Sequence, residues 1–235
     1  MPEIPCDLSR CFLCSSCIPE WREAVGIKKK TLLIKKGKHL FRENDPVEGI
    51  FFIYAGSVKV HKQWVDQKEL ILRFAKTGDI VGHRGLISNE GYPVSATALE
   101  DTTVCWVSPE FLEASLKTNP SLTYRLMQLY ASELQKSDQR MRDLAHMDVK
   151  GRIAAALLEI ADCLGSKNSN PKDNKFISIT ITRQDIASYA GTTYETVFKF
   201  FTELTDERII TTSGKTIRIN KKERLLAIAH PVYRK

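Results

Sequence analysis

Residues 181–219 read ITRQDIASYAGTTYETVFKFFTELTDERIITTSGKTIRI. Thr182 is a natural helix N-cap, and Asp185 three residues later completes a capping box. Ile186 and Ala187 face inward on this short helix, and Ala190-Gly191 makes a tight corner. Thr192 or Thr193 then caps a second helix reaching Leu204, with Val197, Phe201 and Leu204 as its buried stripe. A short helix, a glycine-containing turn and a second capped helix read as a helix-turn-helix. Two alternating strands around Ser213-Gly214 add a hairpin wing. A helix pair with a purely structural role is the alternative.

In a helix-turn-helix the first turns of the second helix meet base edges in the major groove. Tyr194, Glu195, Phe198 and Lys199 lie there, off the buried stripe. Thr182, Arg183, Gln184, Thr193 and Thr196 complete the candidate DNA-binding set. A carboxylate accepts from a cytosine amino group, and a lysine donates to guanine O6 and N7. Charge points the same way: the formal net charge is +7, and from Gly151 to Lys235 fourteen Lys and Arg stand against nine Asp and Glu. Such a basic C-terminal third favours a polyanion, most simply double-stranded DNA, although solubility alone also accounts for it.

Upstream, PSLTYRLMQLYASELQKSDQRMRDLAHM (residues 120–147) spaces Leu122, Leu126, Leu129, Leu134, Met141 and Leu144 mostly three to five residues apart, with no glycine or proline after Pro120. This is a long amphipathic helix. Its length predicts packing against a second copy, with Leu126, Leu129, Leu134 and Met141 as the dimer seam. A core helix within one subunit is the alternative. From Thr31 to Val107 short apolar or alternating runs are broken by turn signals, the pattern of an antiparallel sandwich or small barrel.

No run approaches the roughly eighteen apolar residues of a membrane span, and the N-terminus lacks a basic segment followed by an apolar stretch. The expected location is the cytoplasm, with no membrane partner. There, six cysteines point to metal or redox chemistry before structural disulfides. No nucleophile–base pair or phosphate loop indicates an enzyme.

The chain resembles the superfamily of the cyclic-AMP receptor protein and the fumarate–nitrate reduction regulator over nearly its whole length. ITRQDI, ETV and GKTI are similar to the former; ALEDTTVC, NPSLTYRLMQLYASEL and the run after GKTI are similar to the latter. The resemblance implies an α+β chain in four parts. These are a cysteine-rich N-terminal segment (1–20), an antiparallel β-roll of the cyclic-nucleotide-binding, jelly-roll type as sensor (21–118), a dimerisation helix (119–148) and a C-terminal winged helix-turn-helix (149–235). It implies a homodimeric transcription regulator, with RNA polymerase as partner if it activates. Glu195 and Lys199 hold the positions of the family's glutamate and arginine that read a TGTGA-like or TTGAT-like half-site. Lysine lacks the guanidinium fork, so that half-site is a loose guide. Ser137 falls where the fumarate–nitrate regulator has an aspartate that holds its cluster-free form monomeric.

For the sensor, the resemblance places an effector pocket at His83, Arg84, Gly85 and Ser95. His83 stands in place of the family's ribose-binding glutamate, and Val94 in place of the phosphate-binding arginine, which speaks against cyclic AMP. The segment CDLSRCFLCSSC (residues 6–17) offers Cys11, Cys14 and Cys17, and Cys105 occupies the position of the fumarate–nitrate regulator's β-roll cluster ligand. These four are the candidate metal ligands, with an iron–sulfur cluster or other redox metal as first reading, no cofactor second, and thiol oxidation or zinc third. Few apolar residues anchor that segment. Haem on His61, His83 or a cysteine has a family precedent. Three functions are carried forward: a redox- or small-molecule-responsive regulator, a cyclic-nucleotide- or haem-responsive regulator of the same fold, and a cysteine-based electron-transfer protein.

Overall fold

The computed structural model describes residues 11–64, 68–87, 90–167 and 177–230. Its contacts divide the chain into two units: residues up to 63 with 72–137, and residues 64–71 with 138 onward.

The first unit opens with a 3-10 turn at Cys14–Ser16 and helix α1 (Pro19–Lys28). Proline suits the first turn of α1 because an N–H there has no helical acceptor. Strands β1 (Lys30–Ile34), β2 (His39–Phe41), β3 (Ile50–Ala55), β4 (Ser57–Gln63) and β5 (Glu69–Lys76) follow. After them come β6 (Ile80–Val81), a 3-10 turn at His83–Ile87, β7 (Ser95–Ala98) and β8 (Thr102–Val107). They form two four-stranded sheets, ordered β1-β8-β3-β6 and β2-β7-β4-β5.

Two cores result, and β3 shows why. Side chains alternate faces along a strand. Phe51 and Ile53 therefore enter a core with Phe41, Val58, Val60 and Val104. Ile50 and Phe52 enter a second core with Cys105, Val107, Leu112, Leu122 and Leu126. Cys11, Phe12, Leu13, Cys14 and Cys17 lie in this second core too. The sequence predicted few apolar anchors for the N-terminal segment; Phe12 and Leu13, 6% and 1% exposed, correct that.

Helix α2 (Pro109–Thr118) is capped by Ser108, whose side chain accepts from the Phe111 N–H. Helix α3 then runs unbroken from Pro120 to His146, 27 residues.

The second unit contains α4 (Val149–Leu164), β9 (Ser166–Lys167), β10 (Ile177–Thr180), α5 (Arg183–Ala190) and α6 (Tyr194–Asp206). It ends with β11 (Ile210–Ser213), β12 (Thr216–Ile219) and α7 (Lys222–Ala229). The sheet order is β11-β12-β10-β9, with the β11–β12 hairpin turning at Gly214. Among the described residues, no helix is long and apolar enough to cross a membrane.

Thr182 caps α5 by accepting from the Asp185 N–H at 3.0 Å, and its hydroxyl donates back to the Asp185 carboxylate. Gly191 ends the helix in the left-handed region, at φ 63° and ψ 48°. A side chain there crowds its own carbonyl, a cost of about 1–2 kcal/mol. Gly191→Ala should therefore lower the stability of the second unit by roughly that amount. An unchanged denaturation midpoint would contradict the assignment.

Candidate functional site

Helix α6 buries Val197, Phe200, Phe201 and Leu204, one continuous stripe at helical spacing. Phe200 joins the three residues expected from sequence. Thr193 is the N-cap, accepting from the Thr196 N–H at 3.3 Å. The opposite face carries Tyr194 and Phe198, 41% and 52% exposed, with their rings stacked 6.4 Å apart. Glu195 and Lys199 are exposed beside them, as are Gln184 and Thr193. The Glu195 carboxyl is held below its ordinary range by its own backbone N–H at the helix start and by the Thr193 hydroxyl, with a smaller contribution from Lys199. It is therefore ionised and ready to accept hydrogen bonds. Thr182, Arg183 and Thr196 are half-buried: Arg183 lies over the Phe201 ring at 5.4 Å, and the Thr196 hydroxyl is 3.1 Å from that of Thr193.

The four candidate ligand cysteines are all buried and share one apolar cluster. Pairing β8 with β1 and β3 fixes Cys105 opposite Thr31 and Phe52. The Cys14 N–H donates to Cys11 Sγ at 3.4 Å. A hydrogen bond from the Cys14 side chain brings the Cys11 thiol down to about 6 against the opposing effect of burial. Burial pushes Cys17 up to about 11. Cys11 thus ionises more readily than Cys17, and the thiolate is the form that ligates metals and reacts. Among the described residues, no group of three or more His, Cys, Asp or Glu is arranged to hold a metal ion. Cys6 lies outside the described residues.

Arg125, from α3, ties this segment down. Its guanidinium donates to the Ser15 and Ser16 hydroxyls at 2.6 and 2.8 Å and lies 4.7 Å over the Phe12 ring. The Ile18 N–H donates to Asn119 Oδ1 at 2.9 Å, and Trp21 Nε1 donates to the Ser115 hydroxyl at 2.9 Å.

The effector-pocket candidates do not gather around open space. His83 and Arg84 turn toward Glu133 of α3, a residue the sequence did not single out. Arg84 donates to Glu133 Oε2 from Nε at 3.0 Å and from Nη2 at 2.8 Å. Arg73 of β5 places Nε 3.1 Å from Oε1, and His83 Nε2 is 3.6 Å from the same oxygen. Burial alone would raise the Glu133 carboxyl, but the imidazole and the two guanidiniums outweigh it and hold it at about 2. Desolvation keeps His83 below its ordinary value despite that carboxylate. Ser95 accepts from the Glu43 N–H at 2.9 Å, and Gly85 packs where a Cβ would meet Val47 at 2.8 Å. Neither haem-candidate histidine stands open: His61 is buried with Nε2 2.8 Å from Thr97 Oγ1, and His83 is buried beside Glu133.

The expected seam divides between two faces of α3. Leu126 is buried in the subunit's own core, and Leu129 packs against that core. Leu134 and Met141 are 64% and 60% exposed, and Met127, not foreseen, is 62% exposed. Met127, Leu134 and Met141 recur every seven residues, the period of a coiled-coil seam.

Two family models match the chain: a cyclic nucleotide-binding domain over residues 32–119 and a Crp-like helix-turn-helix domain over residues 151–228. The anaerobic regulatory protein of Bacillus subtilis is 32% identical over 216 residues, covering 91% of this chain and 88% of that protein. The transcriptional activator protein Anr of Pseudomonas aeruginosa is 29% identical over 235 residues, covering 97% and 94%. Among solved structures, FixK2 from Bradyrhizobium japonicum superposes with a TM-score of 0.73 at 25% identity, covering 85% of this chain and 96% of that one.

The Glu133 cluster carries a pH signature. A carboxyl held near 2 in the folded chain, against an ordinary 4.5, contributes stability that is complete above pH 4.5 and is lost as the pH falls toward 2. Glu133→Gln should flatten the stability profile across that window relative to the parent chain. Parallel acid-unfolding profiles would show that the carboxyl is not held in this way.

Proposed function

The chain belongs to the CRP/FNR family of transcription regulators, and on that premise we propose that it acts in the cytoplasm as a homodimer. It reads a two-fold DNA operator through α6 and answers a redox signal through its cysteines. The observation that supports DNA reading most directly is α6 itself: one face buried, the other presenting Tyr194, Glu195, Phe198 and Lys199 at the capped start of the helix. Residues 21–118 serve as sensor, 119–148 as dimerisation helix and 149–235 as DNA-binding part. If the protein activates, RNA polymerase is a further partner.

Dimerisation is supported by the exposed, seven-residue repeat of Met127, Leu134 and Met141. The redox signal is supported by the four cysteines in one core and by relatives named for anaerobic regulation. By donor type the four cysteines suit an iron–sulfur cluster, since soft thiolates are its usual ligands; among the described residues they are not drawn together around a metal. Cys11, Cys14 and Cys17 would hold it from the N-terminal segment and Cys105 from β8. When bound, such a group supplies electron-transfer and oxygen-sensitive chemistry. Around it, the residues of this chain exclude water, through Phe12, Leu13 and Leu126, and hold the cysteine segment against α3 through Arg125. Sensing through the β-roll pocket is disfavoured because His83 and Arg84 are spent on Glu133.

Selection from randomised duplexes tests the DNA reading. A palindromic site is expected, bound with an affinity that falls as salt rises. Glu195→Ala should relax base choice at one half-site position. Lys199→Ala should weaken binding and specificity together, toward the low end of the roughly 1–3 kcal/mol of a good base contact. Unchanged profiles for both variants would defeat the assignment. The cysteine site is tested by anaerobic purification followed by iron and sulfide analysis: both elements should be present, and Cys105→Ser should lose them. An iron-free anaerobic sample would contradict it.

A further inference from the structure

We propose that Arg73, Arg84 and His83 form a binding site for a small carboxylate, and that the chain fills this site with its own Glu133. All the cationic and donor groups come from the β-roll, Arg73 from β5 and His83 and Arg84 from the 3-10 turn, whereas the anion comes from α3. That division of labour is the one between a receptor and its ligand. Each carboxylate oxygen has its own guanidinium: Oε2 takes Arg84 at 2.8 and 3.0 Å, and Oε1 faces Arg73 at 3.1 Å. Arg73 is itself braced, donating from Nη2 to the Ile80 carbonyl. Tyr130 braces the turn by donating to the His83 carbonyl at 2.8 Å.

The fit is that of a tethered ligand. His83 is 1% exposed, and among the described residues neither of its ring nitrogens makes a hydrogen bond, although Nε2 faces Glu133 Oε1 at 3.6 Å. Glu133 Oε1 likewise lacks a hydrogen-bond donor within ideal geometry. A free carboxylate, not fixed to a helix backbone, can close that gap. Without Glu133 the two guanidiniums would face each other with no counter-charge, so the emptied site favours an anion that can take the place of that carboxylate. With Glu133 on α3, the pocket is filled without any dissolved effector.

The test is chemical rescue of full-length Glu133→Ala. Thermal unfolding is followed against sodium acetate, with sodium chloride holding ionic strength constant and acetamide as the neutral isostere. The variant should unfold at a lower temperature than the parent, and acetate should restore stability saturably. At ten times its dissociation constant, acetate should shift the folding constant about tenfold. Acetamide and chloride should not reproduce the gain, and the parent chain should not respond to acetate. Folding of the variant only in acetate would support the site equally. An acetate effect no larger than that of chloride, rescue by acetamide to the same degree, a variant that stays unfolded in acetate, or an equal response from the parent would each overturn it.

Discussion

Helix α3 has to satisfy two surfaces at once, and the rest of the first unit is arranged around that requirement. A 27-residue helix draws most of its stability from packing an apolar face, since propensity alone holds isolated helices only marginally. On one face, Leu122 and Leu126 enter the core that also holds Cys11, Cys14, Cys17 and Cys105. Glu133, farther along the helix, is gripped by Arg73 and Arg84. On another face Tyr124, Met127, Leu134 and Met141 are all more than half exposed. Surface of that kind is a natural contact for a second copy of the helix.

The same helix gives the cysteines a mechanical link. Arg125 holds the hydroxyls of Ser15 and Ser16, the residues next to Cys14 and Cys17, and so ties the cysteine segment to α3. Pressing Phe12 and Leu13 into the core makes the segment part of the fold rather than an appendage. The β-roll matches the model of a cyclic nucleotide-binding domain, but Arg73, His83 and Arg84 of this chain are turned on Glu133. Within the proposal, signal entry therefore shifts from the pocket to the N-terminal segment.

What could be read from the chain in advance follows the range of the interactions. The helix-turn-helix was legible because its determinants are local: Thr182 with Asp185, Gly191 at the corner, and a stripe repeating every three to four residues on α6. Phe200 escaped only because the stripe is wider than three residues. The clustering of Cys105 with the N-terminal cysteines was implied by resemblance, not by spacing, since it depends on β8 pairing across the sheet. Glu133 was invisible for the same reason: a carboxylate on an amphipathic helix reads as solvated until Arg73 and Arg84 are brought to it from distant positions. Leu126 and Met127 are neighbours on an apolar-rich helix, and periodicity alone does not say which of them turns toward its own core.

The claim at the centre of this account is that the exposed face of α3 joins two copies, whatever the state of the cysteines. Ser137, exposed on α3 and uncharged, puts no repulsion at that seam. Sedimentation of the metal-free chain at micromolar concentration measures this directly. A dimer is predicted, dissociated by Leu134→Asp; a metal-free monomer would contradict the account.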